Sequence, residues 1–403
     1  MMEPTVRFPE FKDSWNNYKI EDMFDRVGTP VDLDDTQTYR EIGIRSHGKG
    51  IFHKEETTAT EIGNKRVFWV EPDCFVVNIV FAWERAVAKT TEKENGMIAS
   101  HRFPMYKPKK DIVDLDYITE YFITKRGQNV LILASPGGAG RNKTLGQKEF
   151  AKSVVKLPSL PEQQKIAEFL SIIDTVIEKQ KETVSAWEER KKGVMQKLFS
   201  QEVRFKADDG SDFPDWEEKK LGEVFKISTE TNGDRYSKQE VLSVSDEYGV
   251  VNQIELQGRS FAGNDISKYK VVKTGQLIYT RSPLATKPFG IIKRVGEKIG
   301  IVSPLYIVND VRENNCSMFW YYNFDMPERT NNYLKPLVRM GAKHTMNISN
   351  EEWLSGKVLS PCLAEQQKIA DCLSSLDDVI AKQKATLAAW EELKKGLLQQ
   401  MFV

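Results

Sequence analysis

Two stretches of the chain collect cations and contain no acid. Between Tyr121 and Lys148 stand Lys125, Arg126, Arg141, Lys143 and Lys148; between Arg329 and Asn350 stand Arg329, Lys335, Arg339 and Lys343, with His344 beside them. A shift of 203 residues lays one stretch over the other and places Gly138-Ala139 on Gly341-Ala342. Lysine and arginine displace counterions from phosphates, and backbone N–H groups approach closely at glycine. The pattern therefore suits a nucleic-acid backbone, with a solvated cationic face as the alternative for either stretch alone. Base edges are read by Arg, Asn, Gln and His in polar loops. The candidates for nucleic-acid contact are Arg45, His47, Lys49, Lys125, Arg126, Arg141, Asn142 and Lys143 in the first half of the chain. In the second half they are Arg281, Lys287, Arg339, Lys343, His344 and Asn347, with Lys293 and Arg294 extending the basic cluster.

Signatures of catalysis are missing from the sequence. There is no G-x-x-x-x-G-K-[ST] loop to cradle phosphates and no dinucleotide-type G-x-G-x-x-G; the Gly-rich Ser135–Arg141 matches neither. Phe213–Lys220, FPDWEEKK, holds the letters of a nuclease metal site, but its acids abut instead of arriving from separate strands. The four histidines are scattered, and the four cysteines, Cys74, Cys316, Cys362 and Cys372, lack the close pairing of a zinc site or disulfide framework. Lys plus Arg equals Asp plus Glu at 58 each, so net charge names no partner. With 403 residues, 40% hydrophobic and 29% charged, two or three domains are expected. The N-terminus has no signal-peptide core, and Glu71 and Asp73 break the most apolar run, so the reading is a cytoplasmic protein without membrane spans.

The dominant feature is a duplication. Pro158–Phe199 laid on Pro361–Phe402 gives 26 identities in 42 positions, Trp187 on Trp390 and Gly193 on Gly396 among them. A fainter echo precedes each half: Trp15, Ile20 and Phe24 fall on Trp216, Leu221 and Phe225. The bodies between, about 140 residues each, share no obvious identity. A constant frame carries two different inserts.

Each repeated segment reads as one long helix. The apolar positions Ile166, Phe169, Ile173, Val176, Gln180 and Trp187, and Ile369, Leu376, Val379, Gln383 and Trp390, keep a mostly 3,4 spacing, a coiled-coil seam with one glutamine in each copy. No proline interrupts either run after Pro161 or Pro361. The 38 residues from Glu162 to Phe199 would span roughly 57 Å at about 1.5 Å per residue. The recurring Gly193 and Gly396 suit either a close crossing or a local kink. Two such helices in one chain most simply pair antiparallel with a pseudo-twofold relation, the alternative being a zipper to another subunit. The bodies read as α+β. VFWV, CFVVNIVFAW, NVLILAS, GQLIYTRS, FGIIKRV and GIVSPLYIV have strand-like composition, and DLDYITEYFITK and CSMFWYYNF are helical.

This constellation resembles the specificity subunit of type I restriction-modification systems. The resemblance rests on P-x-L-x-EQQKIA…L…D…I…KQK…W-E-E-x-KKG…Q…F at Pro158 and again at Pro361, reinforced by W-E-E-K-K-L-G-E-V-F at Trp216 and its echo at Trp15. It implies target-recognition domains at 1–157 and 201–359, each reading half of a bipartite double-stranded DNA site, and spacer helices at 158–200 and 360–403. It also implies two docked modification subunits, which hold S-adenosylmethionine, and restriction subunits using ATP and Mg. This chain itself would be non-catalytic and bind no cofactor. A coiled-coil scaffold without DNA, or an enzyme with an unrecognised site, are the rival readings; neither accounts for unlike inserts on a duplicated frame.

Overall fold

The strand that opens each half of the chain pairs with the strand that closes it. In the computed structural model, which describes residues 4–137, 143–281, 283–340 and 346–402, Asn16–Lys19 runs antiparallel to Val154–Leu157, and Glu217–Lys220 to Lys357–Ser360. Both opening strands lead into a single helical turn, Ile20–Met23 or Leu221–Val224, and then a second strand, Phe24–Val27 or Phe225–Ile227. The faint echo of Trp, Ile or Leu, and Phe is thus one repeated structural unit in which those matched residues are buried in both copies.

The chain divides into two units, residues 1–182 with 384–403, and residues 183–383. Each contains a four-stranded antiparallel sheet. In the first the order is Phe24–Val27, Met105–Pro108, Phe75–Val77, Val87–Lys89; in the second it is Phe225–Ile227, Ile307–Val311, Leu277–Thr280, Ile291–Arg294. The order is the same, first strand, last strand, then the middle two, although the sequences are unlike. What differs is the addition. The first unit adds a five-stranded sheet around the hairpin Thr38–Ile44 and Ile51–Thr58. The second adds a hairpin at Leu242–Asn252 and strand pairs of Lys270–Val272 with Gly300–Val302 and of Arg339–Met340 with Met346–Asn347.

One strand-like run folds otherwise. NVLILAS belongs to the helix Lys125–Leu133, with Leu131 buried and Leu133 exposed. A four-residue apolar run does not distinguish strand from helix. Here the start is set by Thr124, whose hydroxyl accepts from the Gly127 N–H at 3.1 Å. A Cβ on Gly127 would lie 2.2 Å from the Tyr121 carbonyl oxygen, so only glycine lets this helix follow Leu115–Ile123 so tightly.

The repeated segments are helices Leu160–Phe199 and Leu363–Met401. Each begins in one unit and ends in the other. In the first unit Lys394 meets Asp174 at 2.8 Å and Lys181 meets Glu391 at 3.9 Å, so rising numbers on one helix face falling numbers on the other. In the second, Lys191 meets Asp377 at 2.6 Å. Lys191 and Lys394, like Asp174 and Asp377, are equivalent under the 203-residue shift. The expected antiparallel pairing is present in each unit taken by itself, and it is made by the same two residues.

Ile166, Ile173 and Ile369 are buried in these helices; Phe169, Val176, Gln180, Trp187, Leu376, Val379, Gln383 and Trp390 are half-buried. Leu170, Ile177, Leu373 and Ile380 are buried as well. The buried arc is wider than a two-position seam because each helix end also packs on a body. Phe402 sits 5.0 Å from the Tyr117 ring, and Phe199 5.4 Å from Phe319. Phe169 packs edge to face on Phe8. A Cβ added to Gly193 would meet no heavy atom within 4 Å, and one added to Gly396 only the Gln400 side chain at 3.9 Å. No close crossing within the described residues calls for either glycine, at about 1 kcal/mol each relative to alanine.

The repeated Glu-Gln pair ties body to helix. Glu162 takes the Arg7 guanidinium at 2.7 and 2.8 Å, and Glu365 takes Arg204 at 3.0 and 2.8 Å. Trp216 adds its indole N–H to Glu365 at 3.2 Å. Gln163 accepts from the Asp114 N–H and donates to the Ile112 and Pro158 carbonyls; Gln366 accepts from the Cys316 N–H and donates to Ser360 and Pro361. Both arginines stand in a Val-Arg-Phe triplet, 6–8 and 203–205. Removing one partner of a buried ion pair costs about 3–5 kcal/mol because the remaining charge is left unpaired. Arg204→Met is expected to destabilise the second unit by about 3 kcal/mol in chemical denaturation, and a loss below about 0.5 kcal/mol would contradict this role for the pair.

Candidate nucleic-acid interface

The tip of the long hairpin in the first unit is Arg45-Ser46-His47-Gly48-Lys49-Gly50. His47, Gly48 and Gly50 have φ of 63°, 68° and 75°, the left-handed backbone a tight tip requires. The tip is pinned. The His47 N–H donates to the Glu84 carbonyl at 2.7 Å, the Gly48 N–H to the Arg85 carbonyl at 2.9 Å, and Ser46 Oγ to the Glu84 carboxylate at 2.9 Å. A Cβ on Gly48 would meet Ile123 at 2.8 Å, so the tip lies directly on the end of helix Leu115–Ile123. Lys125 and Arg126 follow at once.

Arg45, His47, Lys49 and Lys125 are exposed and Arg126 half-exposed. Arg45 lies over the Phe52 ring at 4.9 Å, which orients its guanidinium while leaving its edge to solvent. Lys143 sits over Trp83 at 6.0 Å, and Gln128 donates to the Trp83 carbonyl at 3.0 Å, which brings Lys143 to the same region. Six candidates that the sequence scatters over a hundred positions therefore share one surface. Arg141, Asn142, Lys343, His344 and the Gly-Ala pairs beside them lie outside the described residues.

Sequence reasoning missed Arg85. It has φ 61°, donates to the Ile123 carbonyl at 3.0 Å, and buries an Nε with no partner among the described residues. Its signal was weak, because Phe81-Ala-Trp-Glu-Arg85 reads as the end of a strand. Arg85, Lys125 and Arg126 line one side of a cleft of about 790 Å³ whose other side includes Asp174, Lys181 and Lys394 of the long helices. The helix charges are paired with one another. Neither Lys125 nor Arg126 has an ion-pair partner among the described residues, so the cleft's uncompensated charge is positive and lies on the body side.

In the second unit the site centres on the paired strands Arg339–Met340 and Met346–Asn347. Asn347 and Arg339 are exposed, and Arg339 pairs with Glu352 at 2.9 Å. Cap hydrogen bonds from Ser349, with Arg339 adding, hold the Glu352 carboxyl below its usual range. Arg281 donates to the Ile348 carbonyl at 2.8 Å, which joins the strand Leu277–Thr280 to this strand pair. Arg281, Arg339 and Asn347 are thus brought together.

Lys287 is the correction. It is buried and meets Asp246 at 2.7 Å and Asp325 at 3.6 Å, and its neighbour Lys293, buried too, meets the same two acids at 3.1 and 2.6 Å. Burial opposes the charge on Lys293, yet the Asp325 and Asp246 carboxylates hold its pKa above the usual lysine value. Two lysines neutralised by two acids inside a domain contact no phosphate. Arg294 donates to Ser317 at 2.9 Å, and Arg329 donates to the Phe199 carbonyl at 3.1 Å, where it caps the long helix. Burial lowers the Arg329 pKa.

The geometry is that of two unlike surfaces: exposed cations around a hairpin tip in the first unit, and in the second an Asn347 and an ion-paired Arg339 beside the half-buried Arg281. No group of three or more potential metal-ligating side chains occurs among the described residues, and no helix among them is long and apolar enough to cross a membrane. Comparison with known proteins agrees with this frame. A model of the type I restriction modification DNA specificity domain matches residues 12–185 and again 214–389. The putative type I restriction enzyme MjaX specificity subunit of Methanocaldococcus jannaschii is 25% identical over 316 residues, 73% of this chain and 68% of that protein. The MjaVIII specificity subunit of the same organism is 27% identical over 265 residues, 62% of each. A chain from a structure described as showing complex assembly and conformational transition of the type I R-M system superposes with a TM-score of 0.55 over 98% of both chains, at 16% identity. With the domain matched twice, over most of its length, the chain belongs to the type I restriction-modification DNA specificity family.

Proposed function

We propose that this chain is the non-catalytic DNA-reading subunit of a type I restriction-modification complex. Residues 1–157 and 201–359 are its two target-recognition domains, each reading one half of an asymmetric bipartite site on double-stranded DNA. Residues 158–200 and 360–403 join them and hold two modification subunits. Those partners carry S-adenosylmethionine and the methyl-transfer chemistry, restriction subunits add ATP- and Mg-dependent work, and the assembly is cytoplasmic. The observation that carries this reading is the pair of unlike polar surfaces, Arg45-His47-Lys49 with Lys125, Arg126 and Lys143 in one unit, and exposed Arg339 and Asn347 beside the half-buried Arg281 in the other, on one duplicated frame. A protein scaffold without DNA would have no use for two dissimilar polar surfaces of this kind. Neutral net charge is compatible with DNA binding when partner subunits contribute to the electrostatic grip.

Arg45 and Asn347 have the chemistry to read guanine and adenine edges respectively, each contact worth about 1–3 kcal/mol of discrimination. With the chain and its modification subunit expressed together, sequencing of modified adenines is expected to show Arg45→Ala relaxing one half of the target and Asn347→Ala the other. A uniform loss of affinity, with the salt slope lowered by about one, would make the residue a phosphate contact instead.

The long helices set the spacing between the half-sites in this reading. Four residues inserted after Glu182 and four after Gln383 leave the helix contacts inside each unit intact. At about 1.5 Å per residue they lengthen the rods by about 6 Å, or roughly two base pairs at about 3.4 Å per step. The unread gap in the modified sequence is expected to grow by that amount, and an unchanged gap would refute the ruler.

A further inference from the structure

The two additions, unlike in sequence and strand length, follow one plan. In the first unit Thr29–Pro30 pairs antiparallel with Val67–Trp69, and that strand antiparallel with Ile98–Ser100. Glu41 then lies parallel to Ile98, on the strand that enters the hairpin Thr38–Ile44 and Ile51–Thr58. In the second unit Thr231 bridges Lys270 antiparallel, and Lys270–Val272 pairs antiparallel with Gly300–Val302. Val241 then bridges Ile301 in parallel, just before the hairpin Leu242–Ser245 and Gly249–Asn252. Order and directions are the same. The tip Asp246-Glu247-Tyr248 therefore stands in the second unit where Arg45–Gly50 stands in the first.

This tip is fixed too. Gly249, at φ 72°, closes a three-residue loop, and the Tyr248 N–H donates to Ser245 Oγ at 3.2 Å. Asp246 meets Lys287 and Lys293 at 2.7 and 3.1 Å. Lys293 belongs to the strand Ile291–Arg294 of the four-stranded sheet, and it also meets Asp325 at the end of helix Ser317–Asp325. The two lysines and two acids thus bolt the tip to the frame, as Glu84 holds the tip of the first unit. Arg281 and Lys287, six residues apart, bond Ile348 and Asp246, so one loop ties this tip to the strand pair that carries Asn347. Glu247 and Tyr248 are exposed. The Tyr248 hydroxyl donates to the Glu247 carboxylate, which holds the phenol above its usual range. Glu247 makes no ion pair among the described residues. The first tip offers cations and the second an anion.

A carboxylate repels phosphates. On a tip held against a duplex it is tolerated only where a base donates to it, and the cytosine N4 amino group in the major groove is such a donor. Adenine has an amino group as well, but its N7 acceptor lies alongside and opposes a carboxylate. We infer that Glu247 is a specificity-determining residue, whose carboxylate accepts from a cytosine amino group and so selects a C·G pair in one half of the target. This rests on the reading that residues 201–359 recognise one half of a DNA site, and it adds the residue and the base.

The test uses the full chain with its modification subunit. Modified adenines are sequenced in cells expressing both, and the purified complex is titrated with duplexes carrying each base pair at every read position. The native complex selects C·G at one position that Glu247→Gln alters. Glutamine is nearly isosteric at this exposed site and fits the adenine N6 and N7 edge. Discrimination of C·G over A·T at that position falls about tenfold or more, and the other half is read as before. Unchanged preferences in both halves overturn the assignment of Glu247 while the functional reading stands. Uniformly tighter binding to every sequence, with preferences kept, places the carboxylate beside phosphates and overturns the assignment as well. A native complex that modifies no bipartite site overturns both.

Discussion

The structure depends on one constraint: the beginning of each long helix packs against the end of the other, inside a single unit. Lys394 on Asp174 and Lys191 on Asp377 are the same contact made twice. Because each helix begins in one unit and ends in the other, neither unit is complete without both segments of the chain. Phe402 closes the core that contains Tyr117 and Ile166, and Phe199 the core that contains Phe319 and Ile369. The duplicated sequence is therefore interlocked by contacts between residues far apart in the chain.

Around that constraint the bodies are free to differ only in certain places. The opening and closing strands, the four-stranded sheet and the Arg–Glu and Gln clamps recur in both units, and they fix where each body meets its helices. The additions fall elsewhere, in the five-stranded sheet that carries Arg45 and in the strand pair that carries Asn347. Loops held on a rigid frame can change sequence without disturbing the core beneath them. Two readers of different sequence on one frame are what an asymmetric target needs.

The frame was legible in the sequence where identity survived. Twenty-six of 42 matched positions and an unbroken 3,4 spacing made the helices and their pairing readable. The shared sheet was not, because its strands keep apolar character without keeping residues: Phe75-Val-Val and Leu277-Ile-Tyr-Thr occupy one position in the order and share little else. The Val-Arg-Phe triplets were missed because they recur at 197 residues and not at 203. Among the cations, Arg45 and Lys287 are equivalent to the eye. One lies on a hairpin tip pinned by Glu84 and Arg85, the other is buried by Asp246 from 41 residues away. Exposure of a charge is decided by such distant partners, which spacing does not reveal.

The most direct measurement of the central claim is a pair of double-mutant cycles, one on Lys191 and Asp377 and one on Lys394 and Asp174, each with alanine singles and the double, followed by chemical denaturation. The same two residues paired twice predict favourable coupling in both cycles, about 0.2–1 kcal/mol for half-exposed pairs, with sizes that differ because Lys394 also meets Glu120 and Asp377 also accepts from Tyr322. Coupling in one cycle and none in the other, or none in either, would contradict a frame in which each helix start is clasped by the opposite helix end.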